Sequence, residues 1–301
     1  MLARMEKNLR RLIGAGAFSV ILLEALPALG QAIAFDRPEA WAMKYFAAVT
    51  MFTPLQPPRE RAPGAVEMAG EAGWVPYLND TDRTVGFEGT KTEDLNKSPF
   101  YGRVRLLVGL PAGFALEAGW VPPVRIHGTQ TNLFDGAIEK VFIDKPGGSF
   151  GIRAYGQFGH AYGDYTCPAD VLGSPPGSPG NPYGCTSAST DVANLNYYGA
   201  ALTGGVRVAP GVVIHLAGGG AYNDLQFQVG AYWMGTVDNT LETTHGWTGW
   251  GAAGVDVALG KDVSLSAEAF YSPLMVVRPP STSSQNDGLF NVRGMVRWVV
   301  H

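Results

Sequence analysis

Four residues carry side chains suited to acid–base work and lie near the ends of extended segments: His160, Asp164, His245 and Asp287. A histidine held by a carboxylate can take and return a proton near neutral pH, the arrangement that activates a hydroxyl or a water. Spacing does not assemble these four, because they fall in three separate parts of the chain. Ser149, Ser264 and Ser266 are the serines a hydrolase would draw on, and nothing in their spacing pairs them with a base. No histidine cluster with metal-ligand spacing and no phosphate-binding loop occurs. The acidic run Asp80, Asp82, Glu88, Glu93 and Asp94, interrupted by Lys91 and Lys97, could bind a partner, a glycan or calcium, but it matches no EF-hand. The expectation is of no catalytic residue, no metal and no cofactor.

A second set of charges is placed far more regularly. Glu67, Glu71, Arg103, Arg105, Glu117, Glu139, Arg153, Arg207, His215, Asp256, Glu268, Arg293 and Arg297 fall on the polar side of segments that alternate. The clearest segment is the last. From Leu289 to Val300, Phe290, Val292, Val296, Trp298 and Val300 alternate with Asn291, Arg293, Met295 and Arg297. A period of two puts the two sets on opposite faces of a strand. Likewise Val104, Leu106 and Val108 oppose Arg103 and Arg105, Phe114, Leu116 and Trp120 oppose Glu117, and Leu265, Ala267 and Ala269 oppose Ser266 and Glu268. Gly218-Gly219-Gly220 inside one segment marks close packing or a bulge rather than nucleotide binding.

Ten segments read as strands: about 64–75, 101–110, 113–126, 131–143, 148–162, 191–208, 211–228, 244–258, 262–276 and 288–300. A helical period fits them worse, and their glycines would be costly in helix interiors. The connections alternate between short turns, as at Leu110-Pro111-Ala112-Gly113 and Lys145-Pro146-Gly147-Gly148, and longer loops at 76–100, 163–190, 229–243 and 277–287. Residues 35–63 fall outside this count. The apolar stretch Trp41 to Phe52 reads as a lumenal or periplasmic segment that could plug a barrel; the rival is a twelve-strand barrel with a further strand near Arg83 to Thr90.

Residues 1–34 have the form of a signal peptide: a basic start at Arg4, Lys7, Arg10 and Arg11, an apolar run from Leu12 to Leu29, and Ala32-Ile33-Ala34 before the expected cleavage. That leader holds four of the 22 basic and two of the 26 acidic residues, so the mature chain is mildly acidic and offers no electrostatic footprint for nucleic acid. After it no apolar run reaches the roughly 20 residues of a spanning helix. Cys167 and Cys185 bracket a Pro/Gly/Ser-rich loop, and in an exported chain they read as a disulfide rather than a metal pair.

Over most of residues 64–301 the chain resembles small Gram-negative outer-membrane barrels, on its alternation, its aromatics (Trp74, Trp120, Phe142, Tyr198, Tyr222, Trp247, Tyr271) and its final strand. That resemblance implies an all-β, antiparallel transmembrane barrel with outer-membrane lipid around it and the barrel-assembly machinery as a partner. Such barrels usually end on an aromatic residue; here Trp298 is followed by Val299, Val300 and His301. Arg293 and Arg297 would face Glu67 and Glu71 across the closing seam, with Glu117 near Arg103 or Arg105 and Glu268 near Arg293 or Arg297. The lumenal charges then either rigidify a filled barrel or line a narrow passage for small polar solutes. Ten-stranded outer-membrane proteases place Asp and His at the outer rim, which makes a rim enzyme on His160, Asp164, His245 and Asp287 the competing class. A secreted β-sandwich is the third.

Overall fold

Alternating sequence closes into a ring. The computed structural model describes residues 30–300, so most of the expected leader lies outside the described residues. The strands are β1 (Val66–Trp74), β2 (Phe100–Gly109), β3 (Phe114–Val121), β4 (Thr129–Lys145) and β5 (Gly148–Gly163), then β6 (Asp191–Ala209), β7 (Val212–Gln228), β8 (Leu241–Ala258), β9 (Val263–Ser272) and β10 (Leu289–Val300). Each pairs antiparallel with the next, and β10 returns to β1 with Arg297 opposite Ala69, so the sheet closes on itself. Ten strands, not twelve, form the wall. Trp41 to Val49 lies within a helix, and near Arg83 there is only a two-residue pairing inside a loop.

Two strands end earlier than their apolar pattern suggests, and proline is the cause both times. The segment expected at 113–126 stops at Val121, before Pro122-Pro123, which donate no backbone hydrogen bond. The segment expected at 262–276 stops at Ser272, before Pro273, and Met275–Val276 pairs instead with Gln285–Asn286.

Outward positions carry Leu106, Leu116, Ile138, Leu202, Leu216 and Val292, all exposed. Aromatics stack across neighbouring strands on this face: Trp120, Phe134 and Phe158 with centroids 6.2 and 5.4 Å apart, and Tyr198, Tyr222 and Trp247 at 5.5 and 5.6 Å. Phe142 and Phe150 stack near the short-turn end. An apolar band between two aromatic belts is the exterior of a membrane-spanning barrel.

The inner face is filled. Helix α1 (Pro38–Val49) opens with proline at its first turn and buries nearly its whole surface inside the ring. From its end the chain runs down the lumen through Met51, Phe52 and Leu55 and leaves at the short-turn end, where Glu60 N–H bonds to Asp144. The N-terminal side of the helix stays at the opposite, long-loop mouth: Gln31–Ala32 runs parallel to Glu242–Thr243 on β8.

Within the glycine triplet, a Cβ at Gly219 would lie 2.2 Å from the Ala200 carbonyl oxygen of the neighbouring strand, whereas at Gly218 the nearest atom is 3.6 Å away. Gly219→Ala should therefore destabilise the barrel by about 1–3 kcal/mol, as overpacking does, while Gly218→Ala changes little. The denaturant midpoint of the heat-modifiable gel band measures both.

Candidate functional site: a plugged lumen and an extracellular chamber

Inward parity collects the charges around the plug. Arg103 Nε lies 2.8 Å from Asp135, and Arg103 Nη1 lies 3.2 Å from Glu71. Arg105 bridges Glu71 at 2.6 Å and Glu117 at 2.9 Å, and Arg153 holds the other oxygen of Glu117 at 2.6 Å. The three guanidinium carbons sit 5.1, 4.5 and 4.8 Å from the centroid of the Phe52 ring. Arg103 and Arg105 also donate to the plug carbonyls of Thr50 and Thr53 at 2.5 and 2.9 Å. Buried charges are tolerable only when paired and hydrogen-bonded, and here wall and plug supply each other's partners.

Arg293 departs from its expected role. Stacked on Phe270 at 4.2 Å, it donates to the carbonyls of Ala48 and Val49 at the end of α1 and of Met51 just beyond it. Glu268 lies opposite Arg293 across the β9–β10 ladder, as expected, but its carboxylate accepts from Thr53 Oγ1 at 2.6 Å, with His215 Nε2 at 3.7 Å. Arg297 reaches Glu67 at 3.2 Å and Gln56 at 2.9 Å. Glu67 also holds Arg59 and Arg61, Arg61 lies 3.7 Å from Glu139, and Asp256 accepts from Ser266. Arg207 is a correction. It shares inward parity but lies exposed at the short-turn mouth, where β6 overruns the filled layers. One charge of this layer, Asp135, is absent from those expected on sequence grounds. Asp135 sits two strand periods before Glu139 on the same face of β4, and the cage around Phe52 exists only once β2 and β5 meet the plug.

The rim residues with acid–base character are not brought together. His160 and His245 have outward parity and pack beside Tyr162 and Tyr222 on the lipid-side surface. Asp164 lies 2.8 Å from Lys97, and Asp287 lies 2.7 Å from Arg278. Ser264 accepts from Arg297, and Ser266 donates to Asp256. The stretch Gly147-Gly148-Ser149-Phe150-Gly151 spells G-x-S-x-G, a nucleophile motif that the spacing of the serines alone does not bring out. Ser149 however sits beside a tight β4–β5 hairpin turn, not on the strand-to-helix elbow that the motif's chemistry requires. Among the described residues no three carboxylate, histidine or cysteine groups could hold a metal ion.

Above the charged floor, the long loops form a cap. Cys167 and Cys185 are joined and pack with Val229 and Ala231 against Phe227 and Trp233. Asp191 accepts from Thr166 N–H, Ser189 Oγ and Gly230 N–H, and Lys91 donates to the Thr166 carbonyl at 2.6 Å. Beneath this cap lie two spaces. An upper one of about 230 Å³ combines Phe87, Phe227 and Trp233 with Glu39, Glu93 and Glu242. A lower one of about 440 Å³ is lined mainly by Val49, Val75, Val121, Ile126, Ala161 and Leu195, with Arg103 and Glu71 at its base. Phe46, Leu95 and Tyr165 border both spaces and form the partition between them.

No protein-family model matches the chain, and no curated protein does. Among solved structures it is similar to the outer membrane protease OmpT from Escherichia coli, at 9% identity over 79% of this chain and 94% of that one, with a TM-score of 0.41. It is also similar to the translocator domain of the autotransporter NalP from Neisseria meningitidis (12% identity, 80% and 90% covered, TM-score 0.38). The Pseudomonas putida toluene transporter TodX is similar at 8% identity, 80% and 68% covered, with a TM-score of 0.33. The closed antiparallel ladder of ten strands, rather than these likenesses, defines the fold.

The plug contacts and the cap each make a measurable demand. Arg293→Met removes the donor to three plug carbonyls and should loosen the plug by about 3 kcal/mol, the upper range for hydrogen bonds to a charged group. Hydrogen exchange over residues 46–53 should then rise while the wall strands stay protected. Burial pushes the Glu93 carboxyl up to about 7 against the pull of Lys91. The folded cap thus binds that proton more tightly than the unfolded chain, and stability falls as pH rises from the ordinary carboxylate range toward 7. Exchange over residues 84–95, corrected for its intrinsic pH dependence, should be slower at pH 6 than at pH 8, and Glu93→Gln should shrink the difference, leaving the part due to Glu242, which burial pushes up to about 8.

Proposed function

We propose that this chain, an integral outer-membrane β-barrel, binds small apolar or amphipathic molecules in its extracellular half and carries out no covalent chemistry. The observation that carries the reading is the lower chamber, whose walls are almost wholly apolar although it sits directly on a layer of buried ion pairs. Its size falls in the range of small-molecule sites, roughly 300–1,000 Å³. Below it the lumen is occupied by Phe52, Leu55 and the arginine–carboxylate layer, all buried. Narrow barrels of about ten strands are filled by side chains, and only wide porins leave an aqueous channel. A polar-solute passage would need the plug to leave, and every arginine that bonds to the plug opposes that.

The reading is tested by titrating the full chain in detergent with N-phenyl-1-naphthylamine, whose emission rises in apolar surroundings. Saturable binding is expected, weakened at least tenfold by Thr131→Trp, which fills the chamber from an inward position that is only partly buried. Planar bilayers holding the wild type should show no steady conductance. A folded barrel that binds no probe and passes no ions would leave a structural role; steady conductance would restore the polar passage.

A further inference from the structure

The chamber is not enclosed by the ring on all sides. The β1–β2 ladder extends to Trp74 opposite Phe100, but the β2–β3 ladder begins only at Val104 opposite Trp120. Pro122-Pro123 ends β3 there, and the chain resumes as a short hairpin in which Arg125–Ile126 pairs back on β4. Over Phe100 to Arg103 the side of β2 that should meet β3 is therefore uncovered. The chamber's lining crosses the wall at this place: Tyr101, Arg103 and Val121 are inward and buried, whereas Phe100, Val104 and Val124 are exposed on the outside. The outward positions beside the gap are bare. A Cβ at Gly70 would meet nothing within 4 Å, and one at Gly102 only the Glu71 carbonyl oxygen at 3.8 Å.

We propose that this gap is a side entrance through which a single hydrocarbon chain passes between the outer leaflet and the chamber. The proposal rests on the chamber being an apolar binding site. Trp74 and Trp120, both exposed, flank the gap, and such residues mark the depth of the membrane interface. A chain entering there passes Phe100, Val104, Val121 and Val124, with the Arg103 guanidinium turned to Asp135 and Glu71, while its polar head stays at the level of the interface. The hydrocarbon belongs either to a membrane lipid or to a free amphiphile, and both present the same chemistry to the gap.

The test reconstitutes the full chain in liposomes in two arms. One contains a phospholipid with a diazirine midway along an acyl chain; the other receives a diazirine fatty acid from outside. After irradiation, adducts are mapped by mass spectrometry. Expected are adducts on the inward Val49, Thr50 and Leu195, reduced at least fivefold by Gly102→Trp, with labelling of outward Leu106 and Val108 unchanged. Gly70→Trp serves if the first variant does not fold. Inward labelling by only one of the two probes, still lost in Gly102→Trp, keeps the entrance and assigns its source. Inward labelling that persists in both tryptophan variants, or adducts confined to outward residues, overturns the entrance. The dye titration in detergent is indifferent to the gap, so saturable dye binding beside a negative labelling result removes the entrance and leaves the binding site standing. Absence of dye binding removes the site itself.

Discussion

The interaction on which the rest of the structure depends is the enclosure of Phe52 by Arg103, Arg105 and Arg153, with Glu71, Glu117 and Asp135 as their counter-charges. Each guanidinium is held on one side by carboxylates of adjacent or next-but-one strands, and two of them bond to plug carbonyls on the other. Removing either component would strand charges in a low-dielectric interior, at a cost of about 3–5 kcal/mol for a broken buried pair. Plug and wall are therefore one folding unit in energetic terms, although they are separate segments of the chain.

That unit divides the lumen. Toward the short turns, polar groups and prolines of the plug meet Arg59, Arg61 and Arg297 around Glu67. Toward the long loops, the helix presents Phe46 and Val49 to an apolar space. Such a space next to an ionic layer persists because the charges of the layer are paired with one another rather than with groups of the chamber. The cap, tied by the disulfide and by Asp191 and Lys91, limits access from outside to the upper space, with its aromatic and acidic lining.

The wall was legible in the sequence because period-two alternation is a local signal: every inward charge on β2, β3 and β10 follows from parity within its own strand. Strand ends were legible only where proline was given its full weight, as Pro122 and Pro273 show. The plug was harder. Its stretch from Trp41 to Phe52 is apolar nearly throughout, and a helix buried on all sides lacks the one-sided stripe that distinguishes a helix from a strand. The plug partners of Arg293 could not be found by strand pairing, because most of them are backbone carbonyls, which leave no residue signature.

A strand that stops short in a membrane wall carries an energetic demand, and that demand locates the gap. Backbone groups on an uncovered strand edge cost several kcal/mol each in hydrocarbon, where no water can satisfy them. The edge over Phe100 to Arg103 is short and lies beside Trp74 and Trp120 rather than at mid-depth, and it is backed from inside by Phe46, Val49 and Thr50 of the plug. At that depth headgroups and water reach the edge, while the plug supports the wall where the ladder is missing. The same plug that fills the lumen thus makes an interrupted wall tolerable, and a filled floor and a short uncovered edge are two consequences of one buried segment.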